Sequence, residues 1–394
     1  MLNILTFDYE YPPLGGGGGV VHALIAEELA KRHHVAVITS AYGNLPARET
    51  LAGVEITRVP ILGRGDPSAA SLVSMLSYPP AAWIAAARSM SRRRYDVVHA
   101  HFAVPTGPGS LPPAMIARIP HVMTIHGGDI FDPSKKLSPH RVAPLRWTVT
   151  AMLRGSQAVA TSSQNIKANA YKYYGYRGPI EIIPLGIRQP EVPPASRAAL
   201  GLPEHVFLAV TVGRLVKRKG LEQLLRAFAR PECAALRLVI VGAGPEMDGL
   251  RAETAALGIG DRVLFTGRVE EERKWQILAA CDAYVSATLH EGFGLVYLEG
   301  MAAGLPVVTP DHGGQIDFLR DGETGYVVPA GDLGALAAAL ARIASNPEEA
   351  KRMGAANRKR APEHRIDHCA GAYEALYERV VREKAGAAAA RGQA

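Results

Sequence analysis

The sequence predicts an α/β protein built from two doubly wound domains, and three observations carry that prediction. Short β-branched or apolar runs alternate with longer amphipathic stretches along most of the chain, the pattern of parallel strands joined by helical crossovers. The length of 394 residues fits about two domains at roughly 150 residues each. Near the middle, Arg188-Gln189-Pro190-Glu191-Val192-Pro193-Pro194-Ala195 joins three prolines with no apolar periodicity, as an interdomain linker does.

Taken in order, the first half gives strands at 3–7, 35–39, 55–59, 97–100, 121–124, 158–161 and 181–183, each a short run such as Val-Ala-Val-Ile-Thr. Helices are expected at 20–32, 107–118 and 163–173, where the apolar period lengthens. In the second half, strands are expected at 207–212, 238–241, 263–265, 283–285 and 307–308. Helices include 220–230, 246–257, 270–280, 295–303 and 333–344. The first domain is placed at 1–187, the linker at 188–203 and the second domain at 204–362. The stretch 363–384 is long and helical enough to pack back on the first domain, while the Ala- and Gly-rich tail 385–394 is expected to fray.

Composition excludes several classes. With 48% hydrophobic and 21% charged residues the chain is ordinary globular material, not a disordered or fibrous one. Only Cys233, Cys281 and Cys369 are present, far apart, so neither a disulfide framework nor a C-x-x-C zinc site is available, as suits a reducing cytosol. The opening Met1-Leu2-Asn3-Ile4 lacks a basic n-region, so no signal peptide is expected, and no apolar run reaches the ~20 residues of a membrane span. The net charge of +7 is uneven: residues 1–190 hold 19 Lys and Arg against 11 Asp and Glu, and the rest is near neutral. A basic first half suits an anionic partner or a solvated surface. The segment Ser71–Arg94 sets Leu72, Val73, Met75, Leu76, Tyr78, Trp83 and Ile84 beside Arg88, Arg92, Arg93 and Arg94, interrupted by Pro79-Pro80; it reads as a membrane-surface platform or as a helix with a basic solvent face. Nucleic-acid binding lacks aromatic interleaving and any recognisable module.

Four segments carry chemistry. Five glycines, Gly15 to Gly19, follow the first strand and precede a helix expected from Val20, leaving backbone amides free for a diphosphate or forming a merely flexible loop. A dinucleotide fingerprint would need a third glycine at Val20, and the later Gly242-Ala243-Gly244 fails the same test at Met247, so hydride transfer is disfavoured. Arg214 and Lys219, in Val212-Gly213-Arg214-Leu215-Val216-Lys217-Arg218-Lys219-Gly220, follow a strand directly and so sit at the carboxyl edge of a sheet, where ligands bind. They can neutralise phosphates, although a solvated turn would also account for the lysines. Glu291 and Glu299 flank Phe293-Gly294-Leu295, a loop carboxylate and a helix carboxylate with amides between them. His126 stands after a first-domain strand, a position where a lone histidine is more often structural. His99 and His101 share one strand face but have no third metal ligand nearby in sequence.

These segments, with Gly267-Arg268-Val269, His126-Gly127-Gly128-Asp129 and Gly300-Met301-Ala302-Ala303-Gly304-Leu305-Pro306-Val307-Val308, occur in one order over residues 1 to 380. Together they resemble the family 4 retaining glycosyltransferases, glycosyl transferases group 1, of GT-B fold. The resemblance implies two Rossmann-like domains facing a central cleft, the first binding acceptor and the second a nucleotide-sugar donor, with the C-terminal helix returning to the first. By position it implies that Gly16 and Gly17 approach the donor diphosphate. Arg214 and Lys219 would bind that diphosphate and stabilise the leaving group. It assigns sugar hydroxyls to Glu291, ribose to Glu299, the donor to the amides of Phe293, Gly294 and Leu295, and the base to Arg268 and Val269. His126 would lie beside the donor sugar and Asp129 near the acceptor. Two departures stand out: Lys31-Arg32-His33-His34 replaces a helix-ending glycine, with no functional effect expected, and Asp317 replaces a usual glutamate near the donor.

The resemblance therefore implies transfer of a hexose from a UDP- or GDP-linked sugar to an acceptor hydroxyl with retention. No metal or other cofactor is expected, there being no Asp-x-Asp motif. A lipid-linked or glycan acceptor in cell-envelope or polysaccharide synthesis suits the basic first half, with the protein cytoplasmic and peripheral at the inner membrane face. The alternatives are a nucleotide-sugar epimerase on the same fold, a transferase using a small soluble acceptor, and an idle nucleotide-sugar-binding subunit.

Overall fold

The computed structural model describes residues 1–65 and 71–392; residues 66–70 and 393–394 lie outside the described residues. The chain forms two compact units, Met1–Gly186 with Ile366–Ala394, and Ile187–Arg365.

The first unit contains β1 (Asn3–Asp8), α1 (Gly17–Ala30), β2 (His34–Ser40), β3 (Arg48–Leu51), β4 (Val54–Val59), α2 (Leu72–Arg92), β5 (Val97–His101), α3 (Thr106–Ile116), β6 (His121–Ile125), α4 (Ala143–Gly155), β7 (Ala158–Thr161), α5 (Gln164–Tyr174) and β8 (Glu181–Ile182). Its sheet runs β3-β4-β2-β1-β5-β6-β7-β8. All pairs are parallel except β3 with β4. The strands are nearly continuous apolar runs because both sheet faces are covered: Phe7, Ile38, Tyr78 and Ala82 fill one layer and Met123, Ile125, Leu153 and Ile166 another. Strand order reverses between β1 and β5, the switch point outside whose carboxyl ends α/β sheets bind ligands.

The second unit contains α6 (Arg197–Leu200), β9 (Leu208–Val212), α7 (Leu221–Phe228), β10 (Arg237–Val241), α8 (Met247–Ala256), β11 (Val263–Gly267), α9 (Glu271–Ala280), β12 (Ala283–Val285), α10 (Leu295–Ala302), β13 (Val307–Pro310), β14 (Gly325–Val328), α11 (Leu333–Ser345) and α12 (Pro347–Arg360). Its sheet is wholly parallel in the order β11-β10-β9-β12-β13-β14, with the switch point between β9 and β12. One core of Leu224, Phe228, Leu238, Ile240, Val285 and Leu340 underlies it. The last helix, α13 (Ile366–Gly392), returns to the first unit and packs on α1.

Several expectations need correction. The first helix begins at Gly17, not Val20, so three of the five glycines are helical. Close packing requires them: a Cβ on Gly18 would lie 2.4 Å from the Phe102 ring and one on Gly19 1.9 Å from the Glu10 carbonyl. Pro79 and Pro80 do not interrupt α2, since their fixed φ is helical. The tail expected to fray from 385 continues α13 to Gly392, as its alanines favour. Residues 197–200, within the stretch read as linker, form α6, whose Arg197 bonds Asp282 and two carbonyls of the second unit. His33, at the departure after α1, accepts from the Leu2 amide and bonds Glu374 of α13. Among the described residues no helix is long and apolar enough to cross a membrane.

Candidate active site

The second unit assembles its site at the β9/β12 switch point. Leaving β9, Gly213 donates to the Val241 carbonyl at 2.9 Å, which brings the ends of β9 and β10 together. Arg214 follows half-buried, its Nε enclosed without a hydrogen-bond partner among the described residues. Arg218 and Lys219 close a short 3-10 turn seated on the chain leaving β12, where the Leu289 amide and Thr288 hydroxyl both donate to the Arg218 carbonyl. Lys219 Nζ then reaches Glu291 Oε2 at 2.5 Å, with both side chains largely shielded from solvent. Burial alone would raise the Glu291 carboxyl; Lys219 and the neighbouring Arg218 outweigh it and hold the group below its ordinary range, so it stays ionised.

Between Glu291 and α10 the chain turns on Gly294, whose φ of +96° disfavours any other residue. The amides opening α10 are those a helix leaves unbonded within itself. Phe293 packs inward against Phe318 and His364, so its backbone is what it can offer a ligand. One turn on, Glu299 Oε1 takes Lys274 Nζ of α9 at 2.7 Å, while Oε2 is buried without a partner among the described residues. Burial pushes this carboxyl up against the pull of Lys274, and Lys219 also reaches it electrostatically. Arg268 and Val269 leave β11 at the same edge, two strands from β9. Asp317 ends a 3-10 turn that packs on this element through the Gly314 amide, which donates to the Glu291 carbonyl at 2.9 Å.

The first unit gathers its candidates at the β1/β5 switch point. Gly16 is the N-cap of α1 and a Cβ there would meet nothing within 4 Å, whereas Gly17 is exposed as the first helical residue. The helix N-terminus thus presents open amides and the positive end of its dipole. His126 follows β6 and bonds His101 at the end of β5, Nε2 to Nδ1 at 3.0 Å. Burial, with His22 nearby, lowers His126 to about 3, so its ring is neutral. Asp129 is spent on the backbone: its oxygens accept from the Ala103 and His126 amides at 2.6 and 3.0 Å, fixing the loops after β5 and β6. Burial pushes its carboxyl up to about 6, those amides opposing.

Three groups escaped the sequence reading. Lys274 lies on a separate helix from Glu299, and His22, held by Asp8, stacks on His101 through contacts that no linear motif records. The spacing of His99 and His101 was visible, but it signals a metal only weakly. Here the two rings bond Tyr377, Thr124 and His126 instead.

Two family models match in succession, Glycosyltransferase Family 4 over residues 15–189 and Glycosyl transferases group 1 over residues 193–360. The chain belongs to the family 4, group 1 glycosyltransferases. A lipopolysaccharide core biosynthesis glycosyltransferase, LpsD of Rhizobium meliloti (strain 1021), is 37% identical over 46% of this chain and 52% of its own length. The chain spans about half the length of the leading curated relatives it matches. N-acetyl-alpha-D-glucosaminyl L-malate synthase of Bacillus anthracis is 27% identical over 95% of this chain and 96% of its own. Among solved structures, sucrose-phosphate synthase from Thermosynechococcus elongatus superposes with a TM-score of 0.84 at 23% identity, covering 97% of this glycosyltransferase chain and 100% of that one. The fold is GT-B, two Rossmann-like units with a returning C-terminal helix.

Proposed function

We propose that this chain is a retaining hexosyltransferase that uses a UDP- or GDP-linked sugar without a metal and serves a lipid-linked or glycan acceptor of the cell envelope. The observation that carries the reading is the cluster of Arg214, Lys219 and Glu291 at the switch point of the second unit. Two fixed cations there suit a diphosphate whose charge grows as it departs, and preorganised charges of this kind supply most of the stabilisation in such a step. Glu291 holds the Lys219 ammonium aimed until donor arrives, and it offers carboxylate oxygens to sugar hydroxyls. Glu299, with its unpartnered oxygen, suits the ribose; Arg268 and Val269 suit the base.

In the step itself the bond from the anomeric carbon to the diphosphate oxygen breaks, and its electron pair stays on the diphosphate. The acceptor hydroxyl bonds the same carbon on the same face, and its proton passes to the departing phosphate oxygen. Arg214 and Lys219 stabilise the charge that gathers on the departing diphosphate. Asp129 positions the His126 loop.

The envelope acceptor draws support from the relative LpsD and from α2. That helix buries Ser74, Tyr78, Ala82 and Ala86 but exposes Leu72, Val73, Leu76, Trp83 and Ile84, with Arg88, Arg92, Arg93 and Arg94 at its end. An outward apolar face beside cations suits an anionic membrane on the cytoplasmic side. A small hydroxy-acid acceptor is the second reading, favoured by the relative named as a malate synthase.

The test is a panel of UDP- and GDP-hexoses with envelope lipid, oligosaccharide and hydroxy-acid acceptors, in EDTA, with products read by NMR. Transfer with the donor's anomeric configuration kept is the expected result. An inverted product, an absolute need for a divalent cation, or an epimerised sugar nucleotide formed without acceptor would overturn it.

A further inference from the structure

The two helical layers of the first unit differ in charge. Side chains of β5 alternate between them: Val98 lies in the core beneath α2, and His99 bonds Tyr377 of α13. The layer of α1 and α13 mixes both signs and pairs them, Lys31 with Glu28, Arg32 with Glu374 and Arg382 with Glu378, as a solvated face does. The layer of α2, α3 and α4 has no acid on any of its three helices. Residues 71–180, which contain it, hold thirteen Lys and Arg against three Asp and no Glu. Asp129 and Asp132 are buried, and Asp96 accepts from the Asn3 amide at 2.7 Å. Among the described residues, no exposed carboxylate interrupts this layer.

Its relief follows from α3, which is built of small residues and prolines. Gly109 lets α2 close in, since a Cβ there would stand 3.2 Å from both Tyr78 and Ala82. Gly107 does the same for α4, with Met152 at 2.8 Å from such a Cβ. Most of α3 is therefore buried, and α2 and α4 stand outermost. Their outward stripes are apolar: Leu72, Leu76, Trp83 and Ile84 along α2, and Trp147 with Ala151 one turn on along α4. Trp147 is 67% exposed; Trp83 is 44% exposed and donates its indole N–H to the Pro108 carbonyl of α3. Exposed arginines accompany both stripes, Arg88 and Arg92 on α2 and Arg146 and Arg154 on α4, with Arg118 after α3.

We infer that the whole α2–α3–α4 layer is the face on which this chain lies on an anionic bilayer, with Trp83 and Trp147 as its two interfacial anchors. This rests on the reading of α2 as membrane-facing and extends it to α4, which that reading did not use. An indole is best placed at the level of lipid headgroups, where its ring meets apolar chains and its N–H a polar group. A protein partner would need acids placed to match each arginine, whereas an anionic bilayer presents phosphate wherever an arginine falls. As crossovers between parallel strands, α2 and α4 both start toward the carboxyl edge of the sheet. A bilayer docked along them keeps a lipid-borne acceptor beside that edge.

The test uses the full chain with two kinds of vesicle, phosphatidylcholine alone and an equal mixture of phosphatidylcholine and phosphatidylglycerol. The chain should sediment with the anionic vesicles only, and salt should weaken that binding. Bromine on the acyl chains should quench tryptophan emission, which then reports Trp83 and Trp147, because Trp275 is buried in the second unit. Trp147→Ser and Trp83→Ser should each weaken vesicle binding about tenfold, and Arg146→Ser with Arg154→Ser about 20-fold together. Calorimetric affinity for UDP or GDP should stay as in the unaltered chain. If the α4 variants bind like the unaltered chain while Trp83→Ser loses binding, docking belongs to α2 alone; the inference falls and the reading of α2 stands. Binding without quenching would overturn the anchors and leave electrostatic adsorption. No binding to either vesicle, or a dimer in light scattering that Trp147→Ser abolishes, would overturn both, leaving the transferase reading to be judged on Arg214 and Lys219.

Discussion

The two units bury polar groups at their switch points in opposite ways. The second unit keeps charges and pairs them, Lys219 with Glu291 and Lys274 with Glu299, and encloses Arg214 Nε without a partner among the described residues. The first unit removes charge instead: His99 and His101 on β5 and His126 after β6 are all pushed toward the neutral form by burial. Standing charge suits a ligand that carries or gains charge, whereas fixed uncharged dipoles suit neutral hydroxyls. The same parallel scaffold thus supports two kinds of electrostatics, decided by which side chains follow the central strands.

The largest effect that would sharpen this contrast comes from Lys219. Lys219→Ala should lower kcat/KM by about 1,000-fold and destabilise the second unit by about 3 kcal/mol, because Glu291 is left ionised and buried. Adding Glu291→Gln should restore much of the stability, read by hydrogen exchange, and none of the turnover. If both returned together, the pair would be structural only.

Acidification should separate the units next. Histidines held low in the fold stabilise it above their unfolded value near 6.5, and that contribution is lost as pH falls toward about 3. At pH 5, His121 and His126 should each remove about 2 kcal/mol. Asp129, raised to about 6, works the other way and returns about 1 kcal/mol over the same range. Glu291, held low, gives up its contribution only below its unfolded value near 4.5. Hydrogen exchange followed by mass spectrometry between pH 7 and 5 should therefore show strands β5 and β6 opening before β9 and β12; simultaneous opening would contradict the contrast.

Smaller effects test the glycine turn and the ribose contact. Gly19→Ala should cost about 2 kcal/mol of stability through its clash with the Glu10 carbonyl, while Gly16→Ala, whose Cβ meets nothing within 4 Å, should leave melting unchanged. Glu299→Gln should raise donor KM by about tenfold with kcat nearly intact, since it would remove a charge-assisted bond to ribose that is equal in ground and transition states. A fall in kcat alone would place Glu299 at the reacting centre instead.

Much of this was legible in the sequence, for a physical reason. Strands covered on both faces must be continuous apolar runs, so β1, β2, β5, β9 and β10 announce themselves within a residue or so of their ends. β3, Arg48-Glu49-Thr50-Leu51, is an exposed antiparallel edge strand with no core face to pattern it, and β14 opens on Gly325; neither was visible. Arg214, Lys219, Glu291 and Glu299 could be singled out because they follow strands at short range. Lys274 and His101 could not be assigned, because their partners arrive through sheet register and helix packing: His101 sits opposite Thr124 in the β5/β6 ladder, two residues before His126. The helical start at Gly17 was hidden because packing against Phe102 and Glu10 overrides the low helix propensity of glycine.

The central claim is that two protein cations, not a metal, hold the donor diphosphate. Calorimetric titration of the full chain with UDP and GDP in EDTA tests it directly, beside Arg214→Ala. Micromolar binding of one nucleotide that survives EDTA and weakens by about 100-fold in the variant is the predicted result. Binding that appears only with a divalent cation, or that the variant leaves unchanged, would contradict it.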